Sequence, residues 1–210
     1  MRSANQSAKL QITMDQKTVD AYNVHAQNYD EDTIDFWEKF PGTFFDRFIQ
    51  MSHGKVLDVG SGPGRDGLIL KNAGLDVVCL DASQAMVDLS NARGLKSIVG
   101  DLLALPFEDE SFDAVWAYTS LIHVSKSEVE QAYREIRRVL KPGGIFGLGV
   151  LEGEGEGYLD HKRVTMPRWF SFYQKEEVEQ QLQNHDFEIV HFETFKPNTK
   201  NYLNFISRKN

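Results

Sequence analysis

Short apolar segments alternate with amphipathic helical patterns through the middle of the chain. The apolar segments are continuous and rich in Val, Ile and Leu, whereas a strand with one face in water alternates apolar and polar residues. Continuous apolar strands have both faces covered, which is typical of a parallel sheet with helices on each side. The predicted strands cover residues 55–59, 76–81, 96–100, 112–118 and 144–150. The predicted helices between them cover residues 64–73, 83–92 and 126–140.

The segment before this region has a helical pattern. Its aromatic and small residues recur at the three- and four-residue spacing of one helix face, which predicts a helix over residues 15–28. The residues on that face are Tyr22, His25, Ala26 and Tyr29. A second helix is predicted over residues 34–49, with an interruption near Pro41-Gly42.

The end of the chain predicts a helix followed by a hairpin. The helix covers residues 175–184, and the two strands cover residues 187–195 and 202–207 with a Pro-Asn turn between them. The whole chain therefore predicts an α/β fold. This fold is a doubly wound, mostly parallel seven-stranded sheet with a C-terminal antiparallel hairpin and an N-terminal helical extension.

Composition limits the class of protein. A chain of 210 residues suits a single domain with one core. The net charge of −8 argues against nucleic acid as a partner, because phosphate backbones are bound by clustered Lys and Arg. No apolar run is long enough to cross a membrane, and the N-terminus lacks the apolar core of a signal peptide, so we expect a cytoplasmic protein that does not bind membranes.

Metal and cysteine chemistry are not expected. Cys79 is the single cysteine and lies in an apolar strand, so it predicts a core residue and no intrachain disulfide. The histidines show no metal-ligand spacing, and we predict no metal site. The basic segment at residues 161–169 is either a solvated loop or a site for an anion.

The stretch VLDVGSGPGRDG, residues 56–67, places an acid two residues before a glycine-rich turn. In doubly wound sheets, ligands bind beyond the carboxyl ends of the strands, where this turn lies. Asp58 would repel a phosphate, and Pro63 lacks the N–H that a phosphate cradle uses. A ligand with an ammonium or sulfonium group, approached closely by the backbone at Gly60 and Gly62, fits the turn better.

Two further acids end the next two predicted strands. Asp81 follows Gly60 by 21 residues, at a position where an acid accepts hydrogen bonds from ribose hydroxyls in this topology. Asp101 closes the third strand, where it would receive an adenine amino group. Taken singly, each acid is equally consistent with a helix cap or a surface position. Three acids at three successive strand ends together favour a nucleoside site.

Five motifs in register resemble class I S-adenosylmethionine-dependent methyltransferases, particularly their type 11-like small-molecule group. The motifs are VLDVGSGPG (56–64), VVCLDAS (77–83), VGDLLALPF (99–107), FDAVWA (112–117) and LKPGG (140–144). The resemblance implies S-adenosyl-L-methionine as cofactor and S-adenosyl-L-homocysteine as product. It also implies methyl transfer by in-line displacement to a nucleophilic atom of a small molecule.

The resemblance also suggests which residues form the site. Asp58 would lie near the amino group of the methionine moiety, Asp81 would bind the ribose diol, and Asp101 would bind adenine. The full set expected at the cofactor is Tyr22, Tyr29, Asp58, Gly60, Ser61, Gly62, Arg65, Asp81, Ala82, Met86, Asp101 and Leu102. For Tyr22 and Tyr29, closing a lid over the cofactor and packing in the core are equally good interpretations.

His123 is the candidate general base, because it follows the fourth strand, where this family often lines its substrate pocket. Packing of the same turn is the alternative role for this histidine. The residues expected on the substrate side are Tyr118, Ser120, Arg168, Trp169 and Tyr173.

The expected organisation follows from these assignments. Residues 1–14 form a flexible tail, and residues 15–210 form a single methyltransferase domain. Its parts are a helical lid (15–50), a cofactor-binding core (55–150) and a substrate-side loop (151–173). Two other functions stay open: a catalytically silent cofactor-binding or regulatory protein, and an NAD-dependent oxidoreductase. The acceptor and the oligomeric state are not predicted.

Overall fold

The computed structural model describes residues 14–40, 43–160, 164–197 and 199–210. Of the expected flexible tail, residues 1–13 lie outside the described residues, as do Pro41-Gly42. The helices of the described chain are α1 (Gln16–Thr33), α2 (Phe36–Lys39), α3 (Thr43–Met51), α4 (Arg65–Asn72), α5 (Gln84–Ala92), α6 (Val129–Val139) and α7 (Lys175–Asn184). The strands are β1 (Lys55–Val59), β2 (Asp76–Asp81), β3 (Lys96–Val99), β4 (Phe112–Tyr118), β5 (Leu140–Leu151), β6 (Glu156–Leu159), β7 (Arg168–Ser171), β8 (Phe187–Phe195) and β9 (Tyr202–Lys209).

Seven of these strands form one sheet in the order β3-β2-β1-β4-β5-β9-β8. The pairs among β1 to β5 are parallel, whereas β9 pairs antiparallel with both β5 and β8. The predicted α/β fold, with its seven-stranded sheet and C-terminal hairpin, is confirmed. The order reverses at β1, so the carboxyl ends of β1 and β4 open a crevice of the kind in which doubly wound sheets bind ligands.

The sheet is buried on both faces. One face packs against a cluster that includes Phe44, Phe45 and Phe48 of α3, and the other packs against apolar residues of α6 and α7. Trp116 of β4 is fully buried, and its ring stacks on Phe45 with centroids 4.6 Å apart. These contacts anchor α3 firmly to the sheet, whereas α1 is attached in a different way.

Polar side chains hold α1 to α5. Asn23 accepts hydrogen bonds from the Ser83 hydroxyl at 2.8 Å and from the Ala85 backbone N–H at 3.1 Å. Asp30 forms an ion pair with Arg93, and the same guanidinium donates to the carbonyl of Pro63 in the glycine turn. Helix α1 is therefore fixed over the carboxyl ends of β1 and β2 through hydrogen bonds to the elements that follow those strands.

One expected loop contains a strand pair. Within residues 151–173, β6 and β7 pair antiparallel from Glu156–Ser171 to Leu159–Arg168. The stretch carries no apolar alternation and therefore predicts a loop, whereas in the structure β6 pairs with β7 across the connecting residues 160–167 and stays largely exposed. No helix among the described residues combines the length and apolarity needed to cross a membrane.

Gly64 tests the packing of the glycine turn against α5. Gly64 has φ +83°, and an added Cβ would overlap Ser90 and Leu95. We expect Gly64→Ala to lower the free energy of unfolding by about 2–4 kcal/mol, because backbone strain and overpacking each cost roughly 1–2 kcal/mol. Urea denaturation provides the measurement. Gly143→Ala is the matched control, because Gly143 has φ +75° and open space around the added atom. An equal loss in both variants would contradict the packing role of Gly64.

Candidate functional site

A cleft lies at the carboxyl ends of β1 and β2, beneath α1. We call it the glycine-turn cleft, because the turn at Gly60, Ser61 and Gly62 forms its floor. Its empty volume is about 860 Å³, including the open solvent at its mouth. The predicted residues that line it are Tyr22, Tyr29, Asp58, Gly60, Ser61, Gly62, Arg65, Asp81, Ala82, Met86, Leu102, Tyr118, Ser120 and His123.

A second cavity adjoins this cleft. We call it the Arg168 chamber, and its empty volume is about 1510 Å³ including open solvent. It lies between α1, α2, β7 and the turn that joins β8 to β9. The two cavities share the lining residues Tyr22, Tyr29, Thr33, Arg65, Tyr118, Thr119 and His123. The site thus has two connected compartments, and molecules bound in both would meet at these residues.

The backbone of the glycine turn is held by β2. The N–H groups of Gly60 and Ser61 both donate to the carbonyl of Leu80, at 2.7 Å and 3.1 Å. Gly60 has φ +66°, and an added Cβ there would overlap Ser120. Gly62 has φ +53°, and its added Cβ would meet only Tyr29, at 3.8 Å. Side-chain-free backbone therefore faces the open cleft at Gly62.

Asp81 fixes the turn from the end of β2. One carboxylate oxygen accepts the N–H of Gly62 at 2.8 Å, and the other accepts the N–H of Ser83 at 2.9 Å. Burial raises the pKa of Asp81, and these backbone donors oppose that effect. Each carboxylate oxygen has two lone pairs, so Asp81 retains acceptor capacity toward the cleft.

Asp58 is a buried carboxylate with an unsatisfied oxygen. It is 2% exposed, and its Oδ2 has no hydrogen-bond partner among the described residues. Burial, reinforced by the negative charge of Asp66, raises the pKa of Asp58 well above its ordinary value. A cationic group in the cleft beside Asp58 would offset both effects, because an opposite charge favours the ionised carboxylate.

Asp66, in the first turn of α4, has the partners that Asp58 lacks. It accepts the indole N–H of Trp37 at 2.8 Å and that of Trp116 at 2.9 Å, and it forms an ion pair with Arg65. Burial would raise the pKa of Asp66, but Arg65 and the indoles outweigh burial and lower it. Arg65 lines both cavities while its charge is balanced by Asp66.

Asp101 lies behind the cleft and does not line it. The carboxylate is fully buried, with one oxygen accepting the N–H of Leu103 at 2.8 Å and the other accepting the N–H of Met14 at 3.0 Å. Asp101 is therefore bonded to backbone donors and shielded from the cleft. Direct binding of adenine by Asp101 stays a prediction.

His123 is held at both ring nitrogens. Nδ1 lies 2.6 Å from the carbonyl of Trp169, which only accepts, so Nδ1 carries the proton. Nε2 lies 2.8 Å from the Tyr22 hydroxyl and accepts a hydrogen bond from it. Arg168 in turn donates to the Tyr22 oxygen at 2.7 Å. The chain of donors thus runs from Arg168 through Tyr22 to His123.

Burial lowers the pKa of His123 to about 4, and the positive charge of Arg168 acts in the same direction. His123 is therefore neutral at pH 7, with its one acceptor nitrogen directed at Tyr22. His123 can act as a base in two ways. It contacts the bound molecule directly if the Tyr22 hydroxyl is displaced from Nε2, or it receives a proton through that hydroxyl. The role of His123 as general base stays a prediction, and the alternative packing role also has a structural basis.

The remaining predicted residues divide between the cavities and the protein interior. The hydroxyls of Tyr118 and Ser120 have no partner among the described residues, and both side chains line the glycine-turn cleft. Arg168 lines the second cavity. Trp169 and Tyr173 line neither cavity. Trp169 donates its backbone N–H to Thr18, and Tyr173 is buried against the main core.

Several lining residues were not predicted from the sequence, among them Phe170 and Lys200. Phe170 lies in β7 and Lys200 in the turn between the last two strands, and both line the Arg168 chamber. The pairing of β6 with β7 and the C-terminal hairpin bring them to the site. The described residues contain no cluster of three or more His, Cys, Asp or Glu side chains that would hold a metal ion.

Comparison with known proteins supports the class suggested by the fold. Residues 57–148 match the Methyltransf_11 family, a methyltransferase domain. A solved Burkholderia thailandensis 1,6-didemethyltoxoflavin-N1-methyltransferase, with 1,6-didemethyltoxoflavin and S-adenosylhomocysteine bound, aligns with a TM-score of 0.68 at 19% identity. That alignment covers 91% of this chain and 87% of the other, and at this identity it shows the fold alone. Residues 57–148 are thus similar to a methyltransferase domain, and the fold is one that this solved enzyme shares.

Two curated relatives each match less than half of this chain. A sterol 24-C-methyltransferase of Gibberella zeae is 42% identical over 105 residues, which are 45% of this chain and 27% of that protein. A demethylmenaquinone methyltransferase of Renibacterium salmoninarum is 45% identical over 92 residues, which are 43% of this chain and 38% of that protein. The chain thus matches between about a quarter and two fifths of the length of these relatives.

The neutral state of His123 predicts a pH dependence of stability. Because its pKa falls from 6.5 to about 4 on folding, the unfolded chain binds more protons between these values. Stability contributed by the neutral ring is present above pH 6.5 and is lost as pH falls toward 4. We expect wild type to lose about 3 kcal/mol more than His123→Gln over this range.

Urea denaturation at several pH values measures this difference. His53→Gln, which removes an exposed histidine, is the control and should follow wild type. The same pH dependence in wild type and His123→Gln would show that His123 is not held neutral by its surroundings.

Proposed function

We propose that this protein is an S-adenosylmethionine-dependent methyltransferase that methylates a nucleophilic atom of a small molecule. The observation that carries the proposal is the glycine-turn cleft. There, the unsatisfied carboxylate of Asp58 and the carboxylate of Asp81 flank exposed backbone at Gly62. The match to a methyltransferase domain over residues 57–148 supports it independently.

The residues of the cleft suit an aminoacyl nucleoside. Asp58 supplies the negative charge for an ammonium group, and Asp81 supplies acceptors for a ribose diol. Met86 and Leu102 give the adenine end an apolar wall, and both are almost fully buried. Bound S-adenosylmethionine would supply an electrophilic methyl group on a sulfonium.

The protein contributes positioning, water exclusion and proton placement. Tyr22 and Tyr29 pack edge to face with centroids 5.3 Å apart and line both cavities, so they separate the bound cofactor and acceptor from solvent. Holding two reactants in line accounts for roughly 7–11 kcal/mol of barrier lowering in well-oriented reactions. The Tyr22 hydroxyl, hydrogen-bonded to neutral His123, gives a proton from the acceptor a route to the imidazole.

Several finer assignments belong to this proposal. The helical lid (15–50), the cofactor-binding core (55–150) and the substrate side (151–173) are proposed divisions of one domain. A cytoplasmic location rests on composition alone. The relatives include sterol and demethylmenaquinone methyltransferases, but the matches leave most of those proteins uncovered and so do not indicate the acceptor of this chain.

The alternative functions are less well supported. Pro63 and the buried Asp58 oppose the pyrophosphate of NAD, because one lacks a donor and the other carries negative charge. A catalytically silent protein would use the same cleft. The second cavity favours catalysis, because it provides room for an acceptor beside the cofactor.

Cofactor affinity tests the proposal. We expect micromolar binding of S-adenosylmethionine and S-adenosylhomocysteine in a calorimetric titration, with no binding of NAD. Asp81→Asn should weaken the first two by about 10- to 100-fold, because hydrogen bonds to charged groups contribute roughly 1.5–3 kcal/mol each. Asp76→Asn, at the exposed start of the same strand, is the control and should bind like wild type.

Transfer of a radiolabelled methyl group from the cofactor to an acceptor panel distinguishes an enzyme from a silent binder. Binding of NAD alone, or equal cofactor affinity in Asp81→Asn and wild type, would refute the proposed site.

A further inference from the structure

Arg168 is a buried cation that forms no ion pair with any of the described residues. Its side chain is 5% exposed and lines the Arg168 chamber. Its Nη1 donates to the Tyr22 hydroxyl, and its Nε has no hydrogen-bond acceptor among the described residues. No carboxylate of the described chain lies within ion-pair distance of it. Buried charges are normally paired, because removing an ion from water without a counter-ion is costly.

Aromatic rings hold the guanidinium in place. Its central carbon lies 4.9 Å from the ring centroid of Tyr22 and 5.2 Å from that of Phe170. These contacts fix the position of the positive charge without neutralising it. The planar guanidinium matches the geometry of a carboxylate.

Lys200 places a second positive charge beside the first. Its ammonium lies 5.5 Å from the ring centroid of Phe170, on which Arg168 also packs. Partial burial and the positive charge of Arg168 lower the pKa of Lys200. Among the described residues, no acid forms an ion pair with Lys200, which is exposed at the edge of the chamber. The buried guanidinium, unpaired among the described residues, with a second cation at the edge of the same chamber, indicates a site for an anion.

The other charges of the chamber do not supply that anion. Arg65 lines the chamber, but its charge is balanced by Asp66. Asp32 is the acidic residue among the described lining, and it has its own interaction partner. Much of the remaining wall is apolar, formed by Phe36, Phe40, Ile122, Leu151, Phe170 and Tyr202. The lining as a whole fits a molecule with one anionic end and an apolar body.

We propose that the methyl acceptor is a small apolar molecule with a carboxylate that binds against Arg168 and Lys200. Its reactive end would face the wall shared by the two cavities at Tyr29, Tyr118 and Thr119, where the chamber joins the glycine-turn cleft. This inference rests on the proposed function, and it adds the chemical class of the acceptor. Lys200 is then a specificity-determining residue, because it acts on the charged end of the acceptor and not at the reacting atom.

Matched acids and amides test the inference. The probes are naphthalene-2-carboxylate with its carboxamide, and indole-3-acetate with indole-3-acetamide. Their binding is measured by calorimetry, both with and without saturating S-adenosylhomocysteine. We expect each acid to bind wild type roughly tenfold more tightly than its amide, because the guanidinium and ammonium pair with the charged group alone.

Three variants identify the residues responsible. Arg168→Met should abolish the preference for the acid, and Lys200→Gln should reduce it about threefold or more while leaving amide binding unchanged. Lys196→Gln removes an exposed lysine of the same turn outside the chamber and should retain the full preference. Lys200→Gln keeps the test valid if Arg168→Met does not fold.

Two results would overturn the inference. The first is equal or absent binding of acid and amide by wild type at millimolar probe. The second is a preference that both Lys200→Gln and Arg168→Met retain. Either result obtained with tight S-adenosylhomocysteine binding would leave the proposed function standing. Loss of S-adenosylhomocysteine binding, with the acid preference intact, would instead count against the proposed function alone.

Discussion

Two carboxylates buried behind the glycine turn, Asp58 and Asp66, organise the site through their different surroundings. Asp66 has its negative charge balanced by Arg65 and by two indole N–H groups, and it thereby ties α4, α2 and β4 together. Asp58 forms no ion pair among the described residues, and its Oδ2 is unsatisfied, so the charge of Arg65 offsets its burial only in part. Burying an unpaired carboxylate costs free energy, and a cationic ligand beside Asp58 would offset that cost. The site therefore favours a cationic ligand at Asp58.

Helix α1 links the two cavities. Its Tyr22 and Tyr29 line both, and its Asn23 and Asp30 attach it to α5 through polar contacts. Because those contacts are hydrogen bonds and an ion pair at the surface of α5, α1 depends less on apolar burial than α3 does. The same helix therefore covers the proposed cofactor and takes part, through Tyr22, in the hydrogen-bond chain that ends at His123.

Features encoded by local sequence were predictable. The continuous apolar strands and the turn after β1 follow from short patterns, and these patterns put Asp58 and Asp81 at neighbouring strand ends. The pairing of β6 with β7 was missed, because the segment carries no apolar alternation that would indicate strands. Phe170 and Lys200 were missed, since only tertiary pairing brings them to the chamber.

The hydrogen-bond partners of the site residues could not be predicted from the sequence patterns either. Nothing near His123 indicates that the carbonyl of Trp169 would fix its tautomer, or that the backbone of Met14 would bind Asp101. Both contacts cross long stretches of chain, and both change the chemistry that the side chain offers. The type of residue at a site was therefore easier to predict than its protonation state or the hydrogen-bonding positions that it leaves open to a ligand.

The most direct test of the ligand preference at Asp58 is the proton balance of cofactor binding. Burial raises the pKa of Asp58, and a bound ammonium group would lower it again, so S-adenosylhomocysteine should release protons as it binds at mildly acidic pH. Calorimetric titrations in buffers of different ionisation enthalpy measure this release. The structure predicts tight binding with proton release in wild type, and weaker binding without that release in Asp58→Asn. Absent binding, or binding that is unchanged in Asp58→Asn, would contradict the proposed role of Asp58.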